Sequence, residues 1–355
     1  MKKTLKNFGI VIGMVLAVLI AYLLYVVLDY SRIEDNQTLE VNSISEKAVP
    51  VDAHIRVMSF NFGFGAYSSD YSFFMDGGEY SRAFSEEDVH KNLASAVADI
   101  EEIDADIIAL QEVDIDGTRS YHIDQMKLFA DALSDYSSVS AVNYDSSYLF
   151  YPFNSPHGAN KSGIMTFSKY GIDSALRRSL PIEESLMKFL DLDRCYSKSV
   201  IPASNGKNLC FYNLHLSAYT SDGTISVAQL KMLLEDMEGE YLSGNYCIAM
   251  GDFNMDLLGN SSDYFVNIES ADDYTWAKPF DLILLPFGFK LNAASNLPSC
   301  RNADKPYDGE GSCFVVTVDG MICSENVTVS DMYVYDTQFA YSDHQPVVFD
   351  IILGG

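Results

Sequence analysis

Met250-Gly251-Asp252-Phe253-Asn254 closes the apolar run that begins at Tyr246, and closes it with a carboxylate and an amide two residues apart. Side chains alternate along a strand, so Asp252 and Asn254 at the carboxyl end of such a run point the same way. Two polar groups placed together there can meet one phosphorus atom or one metal-bound water. The pentapeptide also reads as an ordinary turn after a buried strand, so its meaning depends on partners elsewhere.

Such partners stand at the ends of other apolar runs. Arg56 to Phe60 ends in Asn61, Ile107 to Leu110 ends in Gln111-Glu112, the run from Leu209 ends in Asn213-Leu214-His215, and Val318-Asp319-Gly320-Met321-Ile322 carries a carboxylate within it. Ser342-Asp343-His344-Gln345-Pro346 precedes the run Val347 to Leu353 and sets a hard oxygen ligand beside a group that titrates near neutral pH. Singly, each of these is more often a solvated cap, a turn residue or a satisfied structural histidine. Jointly and in this order they form a specific combination. His54, His90, His122 and His157 belong to no such motif and read as surface or supporting groups.

The ordered set resembles the endonuclease/exonuclease/phosphatase superfamily of metal-dependent phosphoesterases, over roughly Ile55 to Ile352. The resemblance implies that Glu112 binds metal, with Asn61 and Asp343 supporting it. It implies that His215 and Asn254 stabilise phosphate oxygens, and that Asp319 orients His344. Either Asp252 or His344 then serves as general base. The implied cofactor is Mg²⁺, with Mn²⁺ or Ca²⁺ as alternatives. The chemistry asks for these residue types: a phosphate ester repels an incoming hydroxide and has a poor leaving group, and a hard cation held by one or two carboxylates answers both difficulties. A carboxylate beneath an imidazole fixes its tautomer and raises its basicity.

Apolar runs near Ile55 to Phe60, Ile107 to Leu110, Ile164 to Ser168, Ser197 to Pro202, Leu209 to Leu214, Tyr246 to Met250, Phe314 to Val318, Val327 to Val334 and Val347 to Ile352 predict strands. Helices are expected after Ser85-Glu86-Glu87-Asp88, over Ile123 to Leu133 and over Ile225 to Met237. The fold class is therefore α/β, with two packed mixed β-sheets and helices outside. The superfamily resemblance implies the same four-layer sandwich, with its site at one end between the sheets. There is no internal repeat or low-complexity block.

Lys2, Lys3 and Lys6 precede Phe8 to Leu28, an uncharged run of about the ~20 residues that cross a bilayer as a helix. It exceeds the usual ~7 to 15 apolar residues of a cleaved signal, and no small-x-small site closes it. Residues 1–30 thus read as a cytoplasmic tip and transmembrane signal anchor, 31–50 as a polar tether, and 51–355 as one catalytic domain outside the cytoplasm in a single-pass cell-membrane protein. Cys300 and Cys313 bracket a polar loop and are the best disulfide pair, while Cys195, Cys210 and Cys247 read as buried thiols.

Asp plus Glu number 50 against 23 Lys plus Arg, a formal balance of −27. Basic tracts that displace counterions are missing, which argues against nucleic acid as partner. Phosphate-binding cations are to be sought at Arg119, Lys161, Arg301 and Lys305. The aromatic loop Tyr67 to Phe84 can stack on a base, enter a membrane interface or cover core. The expected activity is divalent-metal-dependent phosphate-ester hydrolysis by an activated water, on a phospholipid or small-molecule phosphate. An extracytoplasmic nuclease and a catalytically silent binding protein on the same scaffold are the alternatives.

Overall fold

Period-two alternation decides what each strand does with its two faces, and in the computed structural model, which describes residues 2–183, 188, 193–218 and 224–354, it assembles two seven-stranded mixed sheets. One sheet has the order β1 (Gln37–Thr38), β7 (Ser174–Ser179), β8 (Cys195–Pro202), β9 (Asn208–His215), β10 (Tyr246–Asp252), β14 (Asp319–Ser324), β11 (Phe289–Asn292). The other has the order β15 (Val327–Val334), β16 (Val347–Leu353), β3 (His54–Asn61), β4 (Ile107–Gly117), β6 (Asn160–Ser168), β5 (Ser137–Asp145), β2 (Val41–Asn42). A small ribbon of β12 (Cys300–Arg301) and β13 (Val315–Val316) lies beside them.

Along β10, Tyr246, Ile248 and Met250 enter the core between the sheets, while Cys247 and Ala249 pack with Leu230, Leu233 and Met237 of α4 (Thr224–Leu242). Along β3, Ile55 and Val57 face inward, while Met58 and Phe60 join Leu93, Ala96 and Ile100 of α2 (Glu86–Ile103) and Phe129 of α3 (Gln125–Ala132). Each fully buried Val, Leu, Ile, Phe or Met among them contributes about 1.5–3 kcal/mol by leaving water, so helix, sheet, sheet and helix form four layers. Ser85 caps α2 by accepting the Asp88 N–H at 3.1 Å, and Glu86, Glu87 and Asp88 place negative charge at its amino end.

The structure differs from expectation at several points. Residues 31–50, read as a tether, are laid along the domain: β1 pairs with β7, β2 with β5, and Val49 is fully buried in a bridge to Ala203. Sheet edges offer unpaired N–H and C=O groups that a passing chain can satisfy, and Asp35 meets Arg178 at 3.1 Å. Only Val315–Val316 of the run Phe314 to Val318 is strand, and the next strand begins at Asp319. All six cysteines are buried and free, including Cys300 and Cys313. β12 sets Cys300 opposite Val316, whereas the Cys313 thiol faces the Pro306 carbonyl at 3.3 Å. In the aromatic loop, Tyr67, Tyr71 and Phe73 are buried with Phe64, Ala83 and Val89, so this segment mainly covers core.

Helix α1 (Lys2–Asp29) is long and apolar enough to cross a membrane. Most of its side chains project away from the domain, Leu28 being 80% exposed, which is unlike a core helix, while Val26 is buried and Tyr22 half-buried.

Candidate active site

The strands that supply the core between the sheets also supply the site, one step further along the same faces. Inward parity runs Ile55, Val57, Ser59, Asn61 on β3 and Leu209, Phe211, Asn213, His215 on β9. It runs Tyr246, Ile248, Met250, Asp252 on β10, and Asp319 begins the same face of β14 ahead of Met321 and Cys323. Between the apolar layer and these ends lies a buried polar layer: Gln111 donates to Asn213 Oδ1 at 2.8 Å and to Ser59 Oγ at 3.1 Å, and Asn213 donates to the Met165 carbonyl at 2.7 Å.

Two backbone devices aim the groups. β4 loses register with β6 between Leu110 and Val113, and Glu112 sits there with φ +52°, so the bulge turns its carboxylate into the cleft. A non-glycine residue in that region costs about 1–2 kcal/mol. β9 and β10 are parallel neighbours with Asp252 opposite His215, and Gly251 has φ +148°. A Cβ at Gly251 would stand 2.0 Å from the Leu214 carbonyl oxygen, so only glycine lets these two strands close up.

The side chains converge. Asn61 Nδ2 donates to Asp252 Oδ2 at 3.1 Å and to Glu112 Oε1 at 3.2 Å, and stands 3.5 Å from His344 Nε2. His215 Nε2 is 3.5 Å from Asp252 Oδ2 and 4.0 Å from Glu112 Oε1, and His344 Nε2 is 3.7 Å from Asp252 Oδ2. His344 Nδ1 meets Asp319 Oδ2 at 2.8 Å, and Ser299 Oγ donates to the same oxygen at 2.7 Å. The segment carrying His344 is fixed by the Arg301 N–H bond to the Asp343 carbonyl and by Ser342 Oγ, which donates to the Asn61 carbonyl. Of these groups Glu112, His215, Asp252 and His344, together with Asp343 and Asn254, line a cleft of about 360 Å³.

Charge follows burial. Burial disfavours a protonated His344, but Asp319, Cys300 and Asp252 outweigh it and hold the imidazole well above its ordinary value. His215, buried and facing Arg194, His344 and Arg119, is pushed well below. Burial, reinforced by Asp319 against the opposing pull of His344, pushes the Asp252 carboxyl up. Asp343 rises to about 6 through burial, with Glu112 adding to the shift and His344 opposing it. The site therefore pairs one neutral and one cationic imidazole with a surplus of carboxylates.

That surplus fits a hard cation. Asp252, Asp319 and His344 bring ligand atoms within 4.8 Å of one another, yet Asp319 Oδ2 is already engaged by His344 and Ser299. Glu112 and Asp343 offer carboxylate oxygens beside them that suit a hard cation better, while Asn61 turns its Nδ2 to Glu112 and its Oδ1 accepts the Gly63 N–H at 3.0 Å.

Not every expected residue lies where a phosphate could use it. Lys161 pairs with Asp145 at 3.2 Å and is not part of the cleft wall, because β6 carries it along its pairing with β5. Arg119 is buried in a bidentate pair with Asp114, at 2.8 and 3.1 Å, with its guanidinium 3.8 Å above the Phe64 ring. It flanks Glu112 and His215 but is engaged. Arg301 lines the cleft while donating to the carbonyls of Ser68 and Lys305 at 3.0 and 3.3 Å. The Asn254 amide donates to the Leu216 carbonyl at 2.8 Å. Arg194, Asp76 and Trp276 also line the cleft and stand in no motif. Ser299 beneath Asp319 likewise had no signal beyond a polar residue before Cys300.

Residues 58–344 match the model of the Endonuclease/Exonuclease/phosphatase family. Among solved structures, an endonuclease/exonuclease/phosphatase from Beutenbergia cavernae DSM 12333 is 16% identical, with 85% of this chain and 72% of that one covered at TM-score 0.57. The human Nocturnin catalytic domain with bound sulfate is 18% identical, covering 88% and 97% at TM-score 0.51. ANGEL2, a 2',3'-cyclic phosphatase, is 14% identical, covering 89% and 98% at TM-score 0.52. A search of curated protein sequences finds no match.

Proposed function

Because the chain belongs to the endonuclease/exonuclease/phosphatase family, we propose that its cleft hydrolyses a phosphate ester by in-line attack of water. The observation that carries this reading is the meeting of Asn61, Glu112, His215, Asp252 and His344, from five separate segments, within 4.0 Å contacts. A divalent cation, Mg²⁺ being the expected ion, would be held by Glu112 and Asp343, with Asn61 supporting Glu112, and would supply charge neutralisation at the phosphate and the departing oxygen.

The chain's own groups supply the rest. Asp252 Oδ2, surrounded by Asn61 and both histidines, is placed to orient a water, and its raised affinity for a proton suits it as the base. His344, kept cationic by Asp319, donates to a phosphate oxygen. His215, kept neutral, donates through its protonated nitrogen, and Asn254 at the cleft wall holds the substrate. Such preorganised donors are each worth on the order of a hundredfold in rate.

The anchor reading of α1 puts residues 51–355 outside the cytoplasm with the amino terminus inside, since Lys2, Lys3 and Lys6 favour the cytoplasmic side. A phospholipid or a small-molecule phosphate is the favoured substrate. Nuclease action is disfavoured by the balance of −27 and by the engagement of Arg119 and Arg301. A silent binding role is disfavoured by the completeness of the acid, amide and imidazole set.

The test uses the full chain in detergent with bis(p-nitrophenyl) phosphate, then with DNA, RNA, sphingomyelin and inositol phosphates. Turnover should vanish with a chelator and return with Mg²⁺. Inactivity on the whole panel with Mg²⁺, Mn²⁺ and Ca²⁺ would favour the silent scaffold.

A further inference from the structure

Residues 146–160, which join β5 to β6, contain no Asp, Glu, Lys or Arg in a chain whose formal balance is −27. At the tip of this loop Phe150, Tyr151 and Phe153 are 49%, 63% and 85% exposed, a contiguous apolar ridge. The ridge adjoins α1. The Tyr22 hydroxyl donates to the Tyr148 carbonyl at 3.2 Å, the Tyr148 N–H donates to the Tyr25 hydroxyl at 3.2 Å, and the Tyr22 and Phe150 rings meet edge to face at 5.0 Å. On its other side the ridge reaches the cleft rim: the Tyr151 ring is 5.8 Å from Phe74, and Met75 and Asp76 line the cleft.

Helix geometry gives the depth of these contacts. At ~1.5 Å per residue, Phe8 to Leu28 spans roughly 30 Å, the thickness of a bilayer's hydrocarbon core. Asp29 marks the outer edge, so Tyr25 lies roughly 6 Å and Tyr22 roughly 10 Å inside it. A loop whose backbone is bonded to those two hydroxyls lies at the same level, where an exposed aromatic ring meets lipid. The two Tyr148 backbone groups facing the helix are both satisfied, as that medium requires, and aromatic rings are favoured at such interfaces.

We propose that the Phe150–Phe153 ridge is a second membrane contact, seated in the outer interface of the bilayer that α1 spans, which holds the cleft rim beside the lipid headgroups. The proposal rests on the anchor reading of α1 and adds that the catalytic domain does not swing freely from it. An uncharged loop is also the part of a strongly acidic domain that can approach anionic headgroups without repulsion.

The test places one tryptophan in the full chain carrying Trp276→Phe, either as Phe153→Trp or as Lys207→Trp. Lys207 lies before β9, at the end of that strand away from His215. Each protein is reconstituted into phosphatidylcholine vesicles with or without acyl-chain bromination, and flotation is measured in parallel. The emission of Phe153→Trp should shift to the blue and lose most of its intensity to brominated lipid, while that of Lys207→Trp should change little. Equal quenching at the two positions in protein that floats overturns the ridge contact and leaves the anchor standing. Protein that does not float removes the anchor, and the proposal with it.

Discussion

The layer between the two sheets has two ends built by the same strands. At one end Val57, Phe211, Ile248 and Met321 pack with no exposure to water. At the other, the same faces of the same strands present Asn61, His215, Asp252 and Asp319, also almost fully buried. Between them the Ser59, Gln111 and Asn213 layer is paired through hydrogen bonds, so the change from apolar to charged is not abrupt. The difference teaches that alternation, which buries a side chain, is indifferent to what that side chain is. The apolar end stabilises the fold, and that surplus offsets the cost of holding carboxylates away from water at the polar end.

The largest expected effect separates the two ends. Asp252→Asn keeps shape and removes the charge. Turnover should fall by about 10³-fold or more, roughly 4 kcal/mol of barrier. Stability in the presence of chelator should be unchanged or higher, because burial already pushes the Asp252 carboxyl up and so disfavours its ionised form in the folded state. Steady-state rates and urea midpoints on the same preparation check both halves. A variant that is both slow and markedly unstable would show that the polar end supports the fold, and the contrast would fail.

Phe211→Ala is the reciprocal change. Phe211 is completely buried in the apolar end, and such truncations cost about 3–5 kcal/mol. Turnover per folded molecule should stay within about twofold, since Phe211 precedes His215 by two inward positions and belongs to the apolar cluster between the sheets. Denaturant titration with rates normalised to the folded fraction is the measurement. A large drop in normalised rate would mean that the two ends are mechanically coupled through the Asn213 layer.

How much of this contrast was legible in the sequence follows from the same alternation. The strand ends at Asn61, His215 and Asp252 were readable because each closes a run with a strong period-two signal. β5 and β7 were not: as Ser-Ser-Val-Ser-Ala-Val-Asn-Tyr-Asp and Ser-Ala-Leu-Arg-Arg-Ser they are polar near the sheet edges, and Arg177 is buried only because carbonyls of Val142 and Asp193 and the Ser179 hydroxyl receive it. A buried arginine with such partners has no linear signature. The same holds for Arg119 and Arg301, whose charge suggested free phosphate ligands, whereas Asp114 and the Ser68 carbonyl occupy them. Glu112 was legible as a strand-end acid, but the bulge that aims it is a property of pairing with β6, which the residue types alone do not fix.

The smallest expected effect tests whether the polar end carries a stability cost without chemistry. His157 flanks Glu112 and Arg119, is 1% exposed, and holds the Ser81 carbonyl through Nδ1 at 2.9 Å. Burial, followed by the positive charge of Arg119, lowers it from the ordinary 6.5 to about 4. In the unfolded chain the group binds a proton below pH 6.5, whereas the folded chain refuses it until about pH 4. Unfolding therefore takes up a proton in that window, and stability falls as pH drops through it by about 1.4 kcal/mol per pH unit. Between pH 7.5 and 5.5 the native chain should lose about 1.4 kcal/mol more than His157→Gln does, read as the difference in urea-derived stabilities at the two pH values. Turnover at pH 7.5 should be the same within about twofold, because His157 meets Phe73, Phe74 and Ser81 rather than the converging groups. Parallel pH slopes for the two proteins would show that His157 takes up its proton without unfolding, and the polar end would then be wetter than its burial indicates.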